Sequence, residues 1–434
     1  MASSPLNIGL VGFGTVGSGV ARILNESAEL IAARAGQPVQ IRHIVIRDPG
    51  RARDHLPAGV TPSDSIDGIL ADSETSLVVQ LIGGTDTAYD YIQKFLAAGK
   101  DIVTANKALL YEYGVDLFRQ AAADGRTIGF EAAVAGGIPI INVVNQALTG
   151  NRINALEAIL NGTSNFILTE MLDRQQSYEN ALAQAQELGY AEADPAMDVD
   201  GTDAAQKLAI LTWLAFGTEV SLTDCVQRGI DNLQLTDLQV AGELGYKIKL
   251  LATARVNEDR LELSVQPTLL RVDRTIAQID GPDNIIAVYG DFVGKTTYSG
   301  AGAGQLPTAS AVVADILDYA TGRAAATFPS ILRSTAGPSL QVQPPEELSR
   351  RYYLRLTVED RPHVLADITD VLGRHEISIS LVRQDETPEE NDDGLASLVI
   401  MTHRTTEGKL RAADMELNQL PAVHGACIRL PVAD

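Results

Sequence analysis

The segment LNIGLVGFGTVG at positions 6–17 constrains the fold of this 434-residue chain more than any other. Residues 6–11 are an apolar run that predicts a buried strand, and the stretch VARILNESAELIAARAG after the glycines predicts an amphipathic helix. Glycines at this spacing let a strand turn tightly into a helix whose N-terminus faces a pyrophosphate. We therefore expect a doubly wound α/β domain that binds a dinucleotide, with an incidental glycine-rich turn as the alternative. The predicted cofactor contacts are Gly12, Phe13, Gly14, Thr15, Val16 and Gly17.

The second predicted strand, IRHIVIRD at positions 41–48, bears on which dinucleotide is bound. An acidic residue at its end would bind the ribose 2′-hydroxyl of NAD, whereas an arginine can pair with the 2′-phosphate of NADP. The strand ends in Arg47 followed by Asp48. We expect NADP(H) to be preferred and NAD(H) to remain usable, unless Arg47 is only a solvated strand-end residue.

Composition limits the partners and the compartment. The chain carries 56 acidic and 34 basic residues, a formal net charge of −22, so we expect neither nucleic acid nor an anionic membrane as a partner. Cys225 and Cys427 show no metal or disulfide spacing, which favours a reduced, cytoplasmic compartment. The start MASSPLN lacks the features of a signal peptide, and we expect no membrane-spanning segment.

An acidic run, GYAEADPAMDVDGTDAAQK at positions 189–207, is the strongest candidate for chemistry. Helical periodicity begins at about Thr202, so Asp203 and Lys207 lie four residues apart on one helical face. An ammonium group beside a carboxylate, next to an acidic loop, could hold a zwitterionic substrate and pass a proton to a carbonyl oxygen. The alternative is an ordinary surface ion pair with a solvated loop.

Two charged residues stand in otherwise apolar surroundings further along the first domain. Lys107 follows the short strand DIVTA and precedes a helix, which places it where ligands of doubly wound sheets bind, unless it is a surface lysine. The stretch GRTIGFEAAVAGGIPIINVV (125–144) continues the strand pattern and then bends at Gly136-Gly137. Glu131 lies in this stretch and would need a cation or backbone amides as partners.

Five segments in order resemble one family. GFGTVG, TANKALL, EAAVAGGIPII, LNGTSNFIL (160–168) and GYAEADPAMDVDGTDAAQKL resemble the homoserine dehydrogenases. Because no kinase domain precedes the glycine turn, we expect the single-function form rather than an aspartokinase fusion. The resemblance implies reversible, NAD(P)H-dependent reduction of L-aspartate 4-semialdehyde to L-homoserine, a step in threonine, methionine and isoleucine biosynthesis. Rival interpretations are an aspartate-semialdehyde dehydrogenase, which would need a nucleophilic cysteine, and a non-catalytic amino-acid sensor on a dehydrogenase scaffold.

The resemblance also implies roles for matching residues. Lys207 resembles the proton donor, Asp203 the carboxylate that orients it, and Lys107 a second lysine near the substrate and nicotinamide; which lysine donates the proton is left open. The implied substrate contacts are Glu192, Asp198, Tyr190, Gly162 and Thr163. Gly302 resembles a late loop that returns to the cofactor. A structural sodium ion is implied at Glu131 and the backbone carbonyls of Val134, Gly136 and Ile138.

The length suggests about three domains. We expect an NAD(P)-binding Rossmann domain over 1–150, completed by about 305–338, and an α+β domain with a mixed sheet over 151–304. This second domain is expected to bind substrate and to pair copies of the chain in a dimer or tetramer. Pro344-Pro345 mark a linker over 339–349.

Residues 350–434 read strand, helix, strand, strand, helix, strand, which resembles an ACT domain of ferredoxin-like βαββαβ order. Such domains bind amino acids at the loop after the first strand, and threonine is the expected effector. Where that loop commonly has glycine after proline, this chain has His363. The side chain could crowd the pocket, so effector binding and a purely structural role both stay open.

Overall fold

This computed structural model describes residues 4–337, 339–384 and 394–433. Three parts of the sequence predictions therefore lie outside the described residues. They are the first three residues of the MASSPLN start, residue 338 at the end of the segment expected to complete the Rossmann domain, and residues 385–393 with residue 434 of the ACT-like segment. None of the described helices is long and apolar enough to cross a membrane.

Strands and helices alternate over the first 160 residues. The strands are β1 (Leu6–Val11), β2 (Val39–Val45), β3 (Thr75–Gln80), β4 (Asp101–Thr104), β5 (Ile128–Gly129) and β6 (Ile153–Ile159). The helices are α1 (Thr15–Glu26), α2 (Ala28–Ala35), α3 (Asp67–Ala71), α4 (Asp86–Ala97), α5 (Lys107–Ala123) and α6 (Ile140–Asn142).

The middle of the chain contains helices followed by long strands. The helices are α7 (Gly162–Asp173), α8 (Tyr178–Glu187), α9 (Ala196–Val199), α10 (Thr202–Phe216) and α11 (Leu235–Glu243). The strands are β7 (Val226–Gln227), β8 (Tyr246–Asn257), β9 (Arg260–Arg271), β10 (Asp283–Gly290) and β11 (Gly294–Ala301).

The last part of the chain begins with a helix pair and ends in a βαββαβ order. The helices are α12 (Gln305–Ala320), α13 (Arg323–Ser334), α14 (Val364–Arg374) and α15 (Glu407–Leu417). The strands are β12 (Gln341–Val342), β13 (Ser349–Glu359), β14 (Ile379–Gln384), β15 (Leu395–Thr402), β16 (Thr405–Thr406) and β17 (Val423–Ala433).

The chain divides into two compact units. The first comprises Met1–Asn154, Gln206–Val220 and Asn284–Leu340, and the second comprises Ala155–Ala205, Ser221–Asp283 and Gln341–Asp434. The three-domain boundaries expected from the sequence stay a prediction, because a compact unit can contain more than one folding domain.

In the first unit, a parallel sheet in the order β2-β1-β3-β4-β5 reproduces the expected doubly wound topology. Strands β1, β3 and β4 are almost wholly buried, as is usual when helices cover both faces of a parallel sheet. Helix α12 packs on α1, and Ala309 and Val312 join the same core as Ile8, Leu10 and Val20. A segment some 290 residues from the glycine turn thus supports the helix that the turn starts.

The strand predicted after residue 125 is much shorter than the pattern indicated. Only Ile128–Gly129 form β5, and a 3-10 helix begins at Glu131. The backbone N–H of Glu131 donates a hydrogen bond to the buried Asp315 carboxylate at 2.9 Å. This bond diverts the backbone from the strand ladder, and a contact 184 residues away along the chain could not be read from local alternation.

The second unit is built on a mixed sheet, as predicted, in the order β6-β8-β9-β17-β13-β15-β14. Strands β8 and β9 form a long antiparallel pair, whereas β17 joins β9 in parallel, with Val432 opposite Leu269. The ACT segment therefore adds its strands to the sheet that contains β8 and β9. The predicted βαββαβ order is confirmed, and its helices α14 and α15 cover a core that includes Leu354, Ile368 and Leu410.

Candidate active site

The glycine turn between β1 and α1 has the geometry that its spacing predicts. Gly12 adopts a φ of 99°, a region that residues with a Cβ rarely occupy. A Cβ on Gly17 would overlap the carbonyl oxygen of Gly12, so the helix start is pressed against the turn. A Cβ on Gly14 would meet no atom within 4 Å apart from its chain neighbours. The backbone at Gly14 is thus open to an approaching ligand.

A cleft of about 1330 Å³ adjoins this turn in the first unit, which is ample for a dinucleotide. Its lining includes the turn residues Gly12, Phe13, Gly14 and Thr15 together with the predicted Arg47. Val16 packs against the hydrophobic core and Gly17 is buried, so these two support the turn rather than line the cleft.

The rim of the cleft beyond β2 combines three arginines with acidic residues. Arg47, Arg51 and Arg53 all line it. Arg53 is already engaged, since its Nη1 donates to the backbone oxygens of Asp48 at 2.8 Å and Arg51 at 3.0 Å. Asp48 also lines the cleft, so the rim carries both positive and negative charge. This mixed charge is the reason that the sequence predicted NADP(H) as preferred and NAD(H) as usable.

Lys107 is the first residue of α5, directly after β4, where the sequence placed it. Asn106 caps this helix by accepting a hydrogen bond from the backbone N–H of Leu109 at 3.1 Å. Its amide nitrogen donates to the carbonyl oxygens of Ile82 and Gly84, two residues that line the cleft. Asn106 therefore fixes where α5 begins relative to the cleft wall. The Asn-Lys order was the available signal, because asparagine is a preferred N-cap residue.

In the second unit, the acidic run is organised by a residue that the sequence interpretation missed. Asn161, at the end of β6, donates its amide hydrogens to Asp198 at 2.7 Å and Asp203 at 2.9 Å. Its Oδ1 accepts from the backbone N–H of Ser164 and so caps α7. Asn161, Ser164 and Asp203 are buried. One buried amide thus holds two carboxylates together.

The other predicted substrate residues surround this bridge. Gly162 is the first residue of α7, and the Thr163 hydroxyl donates to the backbone oxygen of Tyr190 at 2.7 Å. The Tyr190 ring contacts Phe166, with ring centroids 4.8 Å apart. Glu192 is exposed in the loop that leads to α9, and its backbone oxygen accepts from Gln186. The loop is thus anchored through its backbone, which leaves the Glu192 carboxylate at the surface.

Helix α10 starts at Thr202, as the periodicity predicts, and carries Asp203 in its first turn. Lys207 follows one helical turn later and is partly buried. Residues four apart on a helix project from the same face, so the ammonium group lies on the face that begins with the Asn161-bound Asp203.

The predicted sodium residues form a tight loop in the first unit. Both carboxylate oxygens of Glu131 accept backbone hydrogen bonds, from Ile141 at 2.9 Å and Asn142 at 2.8 Å. Burial raises the pKa of Glu131 to about 7, and burial with repulsion from Glu131 also raises the pKa of Asp315. A nearby cation would offset the cost of two buried carboxylates, so the surroundings of Glu131 are compatible with a bound cation.

The backbone around these carboxylates turns sharply. Val134 and Ile138 are buried, and a Cβ on Gly136 would lie 2.7 Å from the carbonyl oxygen of Gly302. The loop at Gly302, which was expected to return to the cofactor, thus packs on the loop at Gly136, which was expected to hold the cation. Gly302 itself does not line the cleft beside the glycine turn, whereas Gln305 does. In the part of the chain that the structure describes, no group of three or more His, Cys, Asp or Glu residues is placed to hold a metal.

Neither cysteine is suited to nucleophilic catalysis. Burial raises the pKa of Cys225 to about 12 and raises the pKa of Cys427 as well. A thiol with a raised pKa is a poor source of the thiolate that forms a thioester. This argues against the aspartate-semialdehyde dehydrogenase alternative.

A parallel sheet with a glycine turn at its central crossover and an adjoining cleft defines a dinucleotide-binding protein. Comparison with protein families gives the same class and refines it. The NAD-binding domain of homoserine dehydrogenase matches residues 12–131, the homoserine dehydrogenase family model matches 139–317, and the ACT domain matches 352–422.

Relatives match over almost the whole chain. The homoserine dehydrogenase of Pseudomonas aeruginosa is 41% identical over 435 aligned residues, covering 99% of each chain. The crystal structure of a homoserine dehydrogenase from Thiobacillus denitrificans has a TM-score of 0.91 and 41% identity, covering 100% of this chain and 99% of that one. A hyperthermophilic archaeal homoserine dehydrogenase mutant in complex with NADPH is 26% identical with a TM-score of 0.62, over 73% and 97% of the two chains. The chain belongs to the homoserine dehydrogenase family and is an oxidoreductase with an ACT domain.

Proposed function

We propose that this protein catalyses the reversible NAD(P)H-dependent reduction of L-aspartate 4-semialdehyde to L-homoserine, a step in threonine, methionine and isoleucine biosynthesis. The observation that supports the proposal is the hydrogen-bonded bridge that Asn161 forms between Asp198 and Asp203. Asp203 lies on α10, one helical turn before Lys207. A cluster of carboxylates suits the ammonium group of an amino-acid substrate, and the lysine suits its carbonyl oxygen. A binding module that had lost catalysis would have no need for this lysine.

The chain's own residues then have distinct tasks. The Glu192 and Asp198 carboxylates, with Tyr190, Gly162 and Thr163 around them, hold the amino-acid end of the substrate. The Lys207 ammonium group donates a hydrogen bond, and then a proton, to the aldehyde oxygen as negative charge develops there. Asp203 orients Lys207, and Lys107 is the second lysine at the reacting end. When bound, the reduced nicotinamide supplies the hydride to the aldehyde carbon.

An activity assay tests the proposal. NADPH oxidation is followed with L-aspartate 4-semialdehyde, beside a reaction that contains NADP, the semialdehyde and phosphate. We expect oxidation in the first mixture and no phosphate-dependent NADPH formation in the second. The opposite pattern would indicate a semialdehyde dehydrogenase. Inactivity in both, with semialdehyde binding intact, would indicate the sensor.

For the cofactor, we propose NADP(H) over NAD(H). Arg47 and Arg51 at the rim of the cleft support this preference, since a 2′-phosphate carries charge that a ribose hydroxyl lacks. The archaeal relative named above binds NADPH. In this proposal the turn residues Gly12 to Gly17 hold the pyrophosphate, Arg47 faces the 2′-phosphate, and Lys107 and Gly302 lie towards the nicotinamide. The ratio of kcat/KM for the two cofactors tests it.

We also propose that Glu131 and the carbonyls of Val134, Gly136 and Ile138 hold a structural sodium ion. The fit of two buried carboxylates and a turned backbone to a monovalent cation supports this site. Thermal unfolding at constant ionic strength, in sodium against choline chloride, tests it. A Tm that is higher in sodium supports the site, and equal Tm values contradict it.

The ACT domain is the part of the chain for which we propose a regulatory role. His363 adopts a φ of 75°, a left-handed conformation that favours glycine, and its side chain is exposed. We propose that the ACT domain binds threonine despite this residue. Calorimetric titration with threonine, repeated on His363→Gly, tests this. Heat of binding that is absent from both proteins would leave the domain a structural role.

A homo-oligomer in the cytoplasm is proposed on two further observations. Strand β11 lies at the edge of its sheet, next to β10, and is exposed at alternate positions. Phe292 in the preceding turn is 85% exposed. Such an edge favours pairing with a second copy. Light scattering after size exclusion would give the number of copies, and a monomer would overturn the assembly. Cys225 and Cys427 are free thiols, which suits a reducing compartment.

A further inference from the structure

A buried carboxylate of the ACT segment is paired with a cation outside that segment. Glu407, the first residue of α15, is only 1% exposed. One of its oxygens accepts a hydrogen bond from the Arg228 guanidinium, and the other accepts from the Tyr352 hydroxyl at 2.9 Å. Because an isolated buried charge is costly, these partners hold Glu407 and Arg228 in fixed positions.

Arg228 belongs to a short segment, residues 226–230, that is pinned on two sides. On one side, Val226 and Gln227 pair in parallel with β9, and the backbone N–H of Arg228 donates to Val265 at 2.9 Å. On the other side, the backbone N–H of Ile230 donates to the carbonyl oxygen of Val199 at 2.8 Å. The segment thus lies between the sheet and the acidic loop.

The contacts with the acidic loop fall between its two bridged carboxylates. The Gln227 amide donates to the backbone oxygen of Asp200 at 3.1 Å and to the Thr202 hydroxyl at 2.9 Å. A Cβ on Gly229 would lie 2.8 Å from the Cα of Asp200, so the packing is tight. Residues 199–202 connect Asp198 to Asp203, so segment 226–230 contacts the turn between the two carboxylates.

We propose that Arg228 and Glu407 are positioning residues through which the ACT segment sets the geometry of the amino-acid site. The chain of contacts is Glu407 to Arg228, Gln227 to the 199–202 turn, and that turn to Asp198 and Asp203. The inference rests on the proposed function, in which these carboxylates bind or orient the substrate. It gives the ACT segment a role in catalysis even when no effector is bound.

A second buried ion pair provides a matched control. Arg355 on β13 of the ACT segment donates to Asp237 at the start of α11 through Nε at 2.6 Å and Nη2 at 3.1 Å, and the Tyr353 hydroxyl donates to the same carboxylate. Both members are at least as enclosed as Glu407 and Arg228. Within the described residues, no hydrogen bond joins this pair to the 199–202 turn. We therefore expect loss of the control pair to weaken the fold and to leave the acidic loop in place.

The test compares steady-state kinetics of full-length Glu407→Gln, Gln227→Ala and Asp237→Asn with the parent protein. We expect Glu407→Gln and Gln227→Ala each to raise the KM for L-aspartate 4-semialdehyde about fivefold, at the low end of couplings between sites. The KM for the nicotinamide cofactor should stay within about twofold of the parent value. Asp237→Asn should lower Tm and leave both KM values unchanged. Gln227→Ala keeps the test open if Glu407→Gln does not fold, because it breaks the same path without touching the ACT segment.

The outcomes separate the two proposals. A parent protein that never reduces the semialdehyde would overturn the proposed function and this inference with it. An active parent with an unchanged semialdehyde KM in folded Gln227→Ala and Glu407→Gln would overturn the inference alone. An equal rise of the semialdehyde KM in Asp237→Asn would also overturn the inference, since the effect would then come from a general loss of stability.

Discussion

The glycine turn and the acidic loop, for which we propose a cofactor and a substrate, are built by opposite means. The turn between β1 and α1 is contiguous in sequence, and at Gly12 and Gly14 it presents backbone without a side chain to the cleft. The acidic loop depends on side chains from separate segments, with Asn161 joining Asp198 and Asp203 from 37 and 42 residues away. A backbone site is sensitive to added atoms, whereas a side-chain site is sensitive to atoms that are removed. The predictions below test this contrast.

The largest effect is expected from the side-chain site. Lys207→Ala should lower kcat by roughly a hundredfold or more, because the proposed proton donor and its charge are lost, while the cofactor still binds. Steady-state rates and a cofactor titration measure the two effects. Lys247→Ala, which removes a lysine paired with Asp280, is the control and should keep parent kinetics. Near-parent turnover in Lys207→Ala would indicate that Lys107 or a water molecule is the proton donor instead.

The glycine turn should respond to a single added methyl group, in two different ways. Gly17→Ala should lower the free energy of unfolding by about 2 kcal/mol, because its Cβ overlaps the Gly12 carbonyl oxygen. Gly14→Ala has room for its Cβ, so its stability should match the parent protein. It should instead weaken cofactor binding, because the methyl group occupies the space where the phosphates approach.

Urea unfolding and a fluorescence titration with NADPH would separate these two effects. The contrast between the two glycines fails if Gly14→Ala binds NADPH like the parent protein. It also fails if Gly17→Ala is as stable as Gly14→Ala.

Removing the bridge should affect the substrate and spare the cofactor. Asn161→Ala leaves the buried Asp203 carboxylate without one of its donors, which costs about 1–3 kcal/mol. We expect the KM for the semialdehyde to rise about tenfold and the KM for NADPH to stay near its parent value. Asn165→Ala is a useful control, since this buried asparagine lies on α7, the helix that Asn161 caps, and donates to the carbonyl oxygens of Ile279 and Gly281 instead. Equal kinetics in the two variants would count against the bridge.

The smallest effect is expected at the exposed rim of the cofactor cleft. Arg47→Ala should lower kcat/KM for NADPH about fivefold and leave kcat/KM for NADH nearly unchanged, because an exposed charge pair is weakened by solvent. Kinetics with both cofactors at two salt concentrations would measure it. An equal loss with both cofactors would place Arg47 away from the 2′-phosphate.

Local sequence patterns predicted much of the fold and part of the candidate site. The alternation of apolar strands and helices predicted the parallel sheet, and the βαββαβ order of the ACT segment was also predicted. The long strand β8 was not identified, and the strand predicted after residue 125 shortened to Ile128–Gly129. Neither Asn161 nor Asp315 was singled out, because their partners are distant along the chain.

By itself, the sequence determined the features that depend on neighbours in the chain. The glycine spacing needs only a strand before it and a helix after it, and Asp203 and Lys207 share a helical face by periodicity alone. Only the tertiary structure decided that β17 pairs with β9, and that Glu407 meets Arg228 across 179 residues. Such contacts form where burial requires each polar group to find a partner, and the partner is chosen by the packing of the whole unit rather than by spacing.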